Sequence, residues 1–263
     1  MDFKIIHIGE TDSTNRWLRS LGSKEFRNQG ASSQVKGEEI PIFIDSLENS
    51  TSLVVWAEYQ TAGKGCGTNS WESERGRNLT FSVLLHPEYI PARAQFRISE
   101  AVSVALSKLL ETCIYDKVRI KWPNDIYVGD RKICGILIEN VLHGIVIKDS
   151  IIGIGLNVNQ TQFLSDAPNP VSLCQLLGRE ADREALLNGF LQRLGEELDS
   201  ETLSRDYRSR LYRKDEVFTY RDARGEFRAK LIDVLEDGRL SLLDTDGKVR
   251  MYAFKEVQFV IEH

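Results

Sequence analysis

Lys121-Trp122-Pro123-Asn124-Asp125-Ile126, followed by Asp130-Arg131-Lys132-Ile133-Cys134-Gly135-Ile136-Leu137, is the most informative stretch of this 263-residue chain. Val118 to Lys121, Ile126 to Val128 and Lys132 to Asn140 read as closely spaced strands. Pro123 interrupts them, since proline cannot donate to a ladder. Trp122 has an ordinary use as core. Lys121, Asn124 and Asp125 are packed around the proline, and a second lysine, Lys132, arrives on the next strand. Gly135 falls in a strand interior, a place where a backbone or ligand often comes close. Two lysines and an aspartate on adjacent short strands predict an anion and magnesium site.

Upstream, Phe3 to Ile8 reads as a strand, and Asp12 or Ser13 offers an N-cap for a helix carrying Trp17, Leu18 and Leu21. Gln29 to Asn49 is polar and turn-rich and reads as a surface insertion. Leu53 to Tyr59 and Leu79 to Leu85 are strands on either side of a glycine-rich loop, Gln60 to Asn78. Apolar residues at helical spacing predict an amphipathic helix over roughly Ala92 to Thr112. Downstream, two strand runs are expected between Ile145 and Asn157, then a short helix after Pro170. A longer helix is expected from near Asp182 toward Tyr212. Five short β runs follow Lys214, with Asp237-Gly238 and Asp246-Gly247 as hairpin turns. The pattern predicts an α+β fold: a mixed β-sheet domain packed by helices over 1–212, then a small β-barrel over 213–263.

Composition excludes several classes. The net charge of −5 argues against nucleic-acid binding, so any bound anion must meet a local cluster of cations. No run approaches a membrane span, and Met1 to Glu10 lacks the form of a signal peptide, which predicts a cytoplasmic protein. Cys66, Cys113, Cys134 and Cys174 are too scattered for a disulfide framework or a zinc site.

Three further segments carry chemical groups. Ser13-Thr14-Asn15 reads as a helix cap or as a pocket floor of short donors and acceptors. Gln60-Thr61-Ala62-Gly63-Lys64-Gly65-Cys66-Gly67, running on to Trp71, reads as a mobile turn or as a loop whose backbone N–H groups meet anionic oxygens. It is neither a P-loop nor a dinucleotide fingerprint. Gly153-Ile154-Gly155-Leu156-Asn157-Val158-Asn159 ends a buried strand with glycines and amides.

In this order, the four segments resemble the biotin–protein ligase family, and the C-terminal β runs resemble its SH3-like domain. The resemblance implies ATP-dependent activation of biotin and its transfer to a lysine of a biotin carboxyl carrier protein. Ser13, Thr14, Asn15 and Gln60 would hold the ureido ring, with Gly63, Lys64, Gly65, Cys66, Trp71 and Gly135 around it. Lys132 would stand beside the biotin carboxylate and the α-phosphate, and Lys64 would hold phosphate. Asp125, with Lys121 and Asn124 in the same segment, would organise Mg²⁺ and the polyphosphate. Asn157 would face the adenylate.

The chain departs from the family's Gly-Arg-Gly-x-Arg-Gly, because Lys64 replaces one arginine and Thr68 follows Gly67 with no second basic residue. A lysine is a point charge where an arginine is a bidentate fork. Twelve residues before Ser13 leave no space for the helix-turn-helix that some members carry, so a monofunctional ligase is expected. Other readings are a lipoate–protein ligase-like acyltransferase and a non-catalytic biotin-sensing protein. The first lacks its expected arginine- and glycine-rich segment here. The second would have no use for Lys121, Asp125 and Lys132.

Overall fold

The computed structural model describes residues 1–21, 32–35, 38–41, 52–164 and 169–261. In chain order its elements are β1 (Phe3–Thr11), α1 (Thr14–Leu21), β2 (Ser32–Val35), β3 (Glu38–Pro41), β4 (Ser52–Gln60), β5 (Leu79–Leu85), α2 (Phe96–Glu111), β6 (Val118–Lys121), β7 (Asp125–Val128), β8 (Arg131–His143), β9 (Val146–Leu156), α3 (Leu173–Leu177), α4 (Arg183–Leu198), α5 (Leu203–Ser209), β10 (Val217–Asp222), β11 (Gly225–Val234), β12 (Leu240–Asp244), β13 (Val249–Tyr252) and β14 (Gln258–Phe259). They divide into two compact units, Met1–Ala92 with Lys132–Leu191, and Arg93–Arg131 with Gln192–His263. The insertion expected at Gln29 to Asn49 lies mostly outside the described residues, and within it β2 and β3 pair antiparallel.

In the first unit the strands run in the order β1-β4-β5-β9-β8. β1 lies parallel to β4, and the ladders from β4 through β8 are antiparallel. A parallel pair needs a crossover, and α1 lies within this one. The helix buries Leu18 and Leu21 against Ile6, Ile8, Leu53, Val55 and Ala57, removing most of its apolar stripe from water.

The two strands expected between Ile145 and Asn157 are one, β9. The polar Lys148-Asp149-Ser150 lies inside it, where Val141 opposes Asp149 and Leu142 opposes Ile147. The extra residue is absorbed as a bulge, and Asp149 is paired with His86 Nδ1 at 2.7 Å. The long helix expected from Asp182 toward Tyr212 is likewise two, α4 and α5. Between them the Ser200 hydroxyl accepts from the Thr202 N–H at 3.3 Å, the local bonding with which such residues compete against helix.

In the second unit α2 is buried along most of its length, and β6 and β7 form an antiparallel hairpin. The five C-terminal strands form an antiparallel sheet in the order β13-β12-β11-β10-β14. Gly238 and Gly247 take φ of +87° and +80° in its turns, where glycine carries no Cβ penalty. The ladders leave β13 and β14 as edges, and no closed barrel is found among the described residues. No helix among them is long and apolar enough to cross a membrane.

Candidate active site

Residues directly opposite one another in an antiparallel ladder project to the same face. Thr80, Gly155 and Gly135 form one such row across β5, β9 and β8, and Ser82, Gly153 and Leu137 form the next. Three of these six positions carry no side chain, so the face has a shallow floor. A Cβ on Gly153 would run into the carboxamide of Asn15, and one on Gly155 into the indole of Trp71. At Gly135 it would lie 2.8 Å from Trp71 Cζ3 and 3.3 Å from Lys132 Cε. The glycines are therefore required by what packs on them.

Over the Ser82 row stands the start of α1. Gln60 Oε1, at the end of β4, accepts from the Thr14 N–H at 2.8 Å and from its hydroxyl at 3.0 Å. It satisfies one of the orphan N–H groups of the helix. The Ser82 hydroxyl lies 2.7 Å from Thr14 Oγ1 and 2.6 Å from Asn15 Oδ1. Asn15 Nδ2 donates to Glu139 Oε2 at 2.8 Å, and Glu139 also pairs with Arg19 at 2.7 Å. Thr14, Asn15 and Ser82 are buried, as is Ser13. Along Gln60, Thr14, Ser82 and Asn15, two hydroxyl protons serve three oxygen–oxygen contacts, so the row is rich in acceptors.

The glycine-rich segment folds back on itself. Gly65 N–H donates to Asn69 O at 2.8 Å and Trp71 N–H to Gly63 O at 2.9 Å, with Lys64 bridged to Ser70. This return delivers Trp71 to the floor. The segment is anchored by Glu74, whose N–H donates at 2.9 Å to Oε1 of buried Gln160. Trp71 Nε1–H is buried and has no hydrogen-bond partner among the described residues. Lys64 is exposed and Cys66 half-buried.

Lys132 is held on both sides of its backbone, its N–H donating to Asn169 O at 2.8 Å and its carbonyl accepting from Val171 N–H at 3.0 Å. Its ammonium lies 5.8 Å from the centroid of the Trp71 ring. Asn157 is buried and donates Nδ2–H to Val171 O at 3.2 Å, steadying the segment that holds Lys132. The first unit thus brings together Ser13, Thr14, Asn15, Gln60, Gly63, Trp71, Lys132, Gly135 and Asn157, all named from the sequence. Ser82, Glu139 and Gly153 join them. Ser82 had one signal, a second hydroxyl two residues after Thr80 on the same face of the otherwise apolar strand Leu79 to Leu85.

Lys121, Asn124 and Asp125 lie in the second unit. Lys121 and Asp125 oppose each other across the β6–β7 hairpin, and Trp122, Pro123 and Asn124 form its turn. Pro123 is not inside a strand, so no ladder bond is lost. Two contacts hold the turn. Trp122 Nε1–H donates to Gly238 O at 2.8 Å, and Tyr207 Oη–H donates to Pro123 O at 2.6 Å. Lys121 Nζ lies 5.1 Å from the Tyr127 ring centroid and 5.4 Å from that of Phe259. Burial, and then the charge of Asp125, push the Tyr127 phenol far above its usual range, which keeps the ring neutral.

Residues 39–157 match the biotin/lipoate A/B protein ligase family. The bifunctional ligase/repressor BirA of Bacillus subtilis is 30% identical over 219 residues, covering 77% of this chain and 64% of that protein. The biotin–[acetyl-CoA-carboxylase] ligase of Mycobacterium tuberculosis is 29% identical over 166 residues, 60% of each. The chain thus spans less than two thirds of these relatives' length. In fold it is similar to the biotin protein ligase of Aquifex aeolicus solved with biotin and ATP, at a TM-score of 0.72 and 23% identity, covering 97% of this chain and 99% of that one. The motifs from Ser13 to Asn159, the glycine floor they build and these matches lead to one conclusion: residues 39–157 of the chain form a domain of the biotin/lipoate A/B protein ligase family.

Proposed function

We propose that this protein is a biotin–protein ligase that makes biotinyl-5'-AMP from biotin and ATP, then transfers biotin to a carrier lysine. The carrier would be a biotin carboxyl carrier protein domain of a biotin-dependent carboxylase, and the enzyme would act in the cytoplasm. The observation that carries the reading is the glycine floor, with an acceptor-rich row at one end and Lys132 at the other. A ureido ring brings two N–H donors to a row that has more acceptors than protons. The floor admits a flat bicyclic ring that side chains would exclude.

In the first half-reaction a biotin carboxylate oxygen attacks the α-phosphorus of ATP and pyrophosphate leaves. Two anions meet, and the Lys132 ammonium is assigned to the charge that accumulates there. In the second, the carrier amine attacks the acyl carbon, AMP leaves with the bonding pair, and an amide forms. Trp71 and the Gly63 to Cys66 backbone would shield the water-labile adenylate between the two halves, with Lys64 on a phosphate.

Asp125, with Lys121 and Asn124, is assigned to the polyphosphate and its magnesium. Among the described residues no three His, Cys, Asp or Glu side chains converge on one point. One carboxylate still suits Mg²⁺, which keeps waters and is usually held through substrate phosphates. Magnesium would neutralise the leaving pyrophosphate. The proposed division is a catalytic domain over 1–212 and an SH3-like domain over 213–263.

The test is biotin-dependent ATP–pyrophosphate exchange, with lipoate as the control carboxylate. Exchange with biotin and not lipoate is expected. Exchange with lipoate alone would replace this reading by that of a lipoate ligase.

A further inference from the structure

Lys121 is the one cation of the Lys-Trp-Pro-Asn-Asp segment, and it stands between two aromatic faces. Tyr127 is its near neighbour on β7. Phe259 is not near in sequence, since it comes from β14, the last strand of the chain. A cation within about 6 Å of a ring centroid is attracted by the ring quadrupole, and both distances, 5.1 and 5.4 Å, fall inside that limit. Phe259 is itself fixed from three directions. β14 pairs with Tyr220 and Arg221 of β10, Tyr220 meets the ring edge-on at 5.0 Å, and Tyr212 lies at 6.2 Å. A swing of the ring would break its contacts with Tyr212 and Tyr220.

The contact bears on a long, flexible side chain. A lysine ammonium on four methylenes loses rotamer entropy when fixed, so a group that fixes it beforehand lowers the cost of binding an anion. The hydrogen bond from Trp122 to Gly238 holds the next residue to the β11–β12 turn of the same sheet. The C-terminal sheet therefore grips the segment at two successive residues, through a ring at Lys121 and a carbonyl at Trp122.

We propose that Phe259 is a positioning residue for nucleotide binding: it holds the Lys121 ammonium for the ATP polyphosphate and so makes the C-terminal strand part of the adenylation machinery. This rests on the ligase reading given above. It adds which residue of the C-terminal sheet acts, and through which atom.

The test uses the full chain with Phe259→Leu, which keeps apolar volume and removes the quadrupole, and Phe259→Tyr, which restores an aromatic face. Calorimetric binding of a non-hydrolysable ATP analogue with Mg²⁺ is measured beside biotin binding and thermal unfolding. Phe259→Leu should weaken analogue binding roughly three- to tenfold with biotin affinity unaltered, and Phe259→Tyr should restore most of it. With Lys121→Met the loss should not add. Carbon-13 labelling of lysine gives a readout free of function, as the Lys121 ε-methylene should show an upfield ring-current shift that Phe259→Leu reduces to the part contributed by Tyr127. Equal weakening by Leu and Tyr, additivity with Lys121→Met, or a parallel fall in biotin affinity would each overturn the proposal. A wild-type chain inactive in pyrophosphate exchange would remove the ligase reading, and the binding and resonance measurements would still decide this one.

Discussion

Gly135 and Gly155 are directly opposed across β8 and β9, and the ring of Trp71 lies against both. The pair sets how close the indole comes to the sheet, and the two positions are unequal. A Cβ at Gly155 falls inside the indole, whereas one at Gly135 meets the ring edge at 2.8 Å. Gly155→Ala should therefore displace Trp71 and weaken biotin binding at least about tenfold, with overpacking costing about 1–3 kcal/mol of stability. Gly135→Ala should do less on both counts. Calorimetry with biotin and thermal unfolding measure the order, and two alanine variants that bind biotin like the wild type would show that the floor is not its bed.

Lys132→Ala should leave the fold intact and lower pyrophosphate exchange by about 10²-fold or more, the usual cost of losing a group aimed at transition-state charge. The backbone bonds to Asn169 and Val171 do not depend on its side chain, which is why little stability should be lost. Normal exchange in a folded variant would remove Lys132 from the mechanism.

Ser82→Ala probes the one member of the acceptor row that sequence reading overlooked. The variant leaves Asn15 Oδ1 buried without its 2.6 Å donor, which should cost about 1–3 kcal/mol. The biotin KM should rise while the KM for ATP stays put. Denaturant unfolding and exchange kinetics separate the two effects, and a rise in both KM values would point instead to a general loosening of the sheet.

Glu58 supplies a dependence on pH. Burial pushes its carboxyl up, but the Arg183 guanidinium, with His7 beside it, outweighs burial and holds it below the usual value of 4.5. Arg183 donates to Glu58 Oε2 at 2.9 Å and to Asn78 O at 3.2 Å. A carboxyl depressed in the folded state adds stability above its ordinary pKa, and that stability is lost as pH falls through the lower folded value. Arg183→Met should therefore lower Tm near pH 7 by roughly 2–6 °C. The gap between variant and wild type should narrow below about pH 4.5. A gap of constant size across that range would show that Arg183 acts through its bond to Asn78 O and its guanidinium 5.1 Å from the Trp56 ring centroid, and not through the charge of Glu58.

The sequence by itself determined the order and type of most elements, since the apolar periods of Leu79 to Leu85 and of the helix near Ala92 to Thr112 admit one reading each. It also singled out Ser13 to Asn15, Gln60, Lys132 and Gly135, because short polar groups, a lysine and a strand glycine stand where periodicity wants apolar side chains. What it left undecided depended on register and on distant partners. The stretch from Ile145 to Asn157 reads as two strands until β8 is laid beside β9 and the bulge takes up the extra residue. A helix through Ser200 and Thr202 is permitted by spacing and lost to their own hydrogen bonds. Only the ladders put Ser82, Gly153 and Leu137 in one row, because a side-chain period of two says which face a residue takes but not which residue lies opposite. Phe259 shows the same limit most plainly: nothing local marks it, and it meets Lys121 only because pairing with β10 brings the last strand of the chain to that lysine.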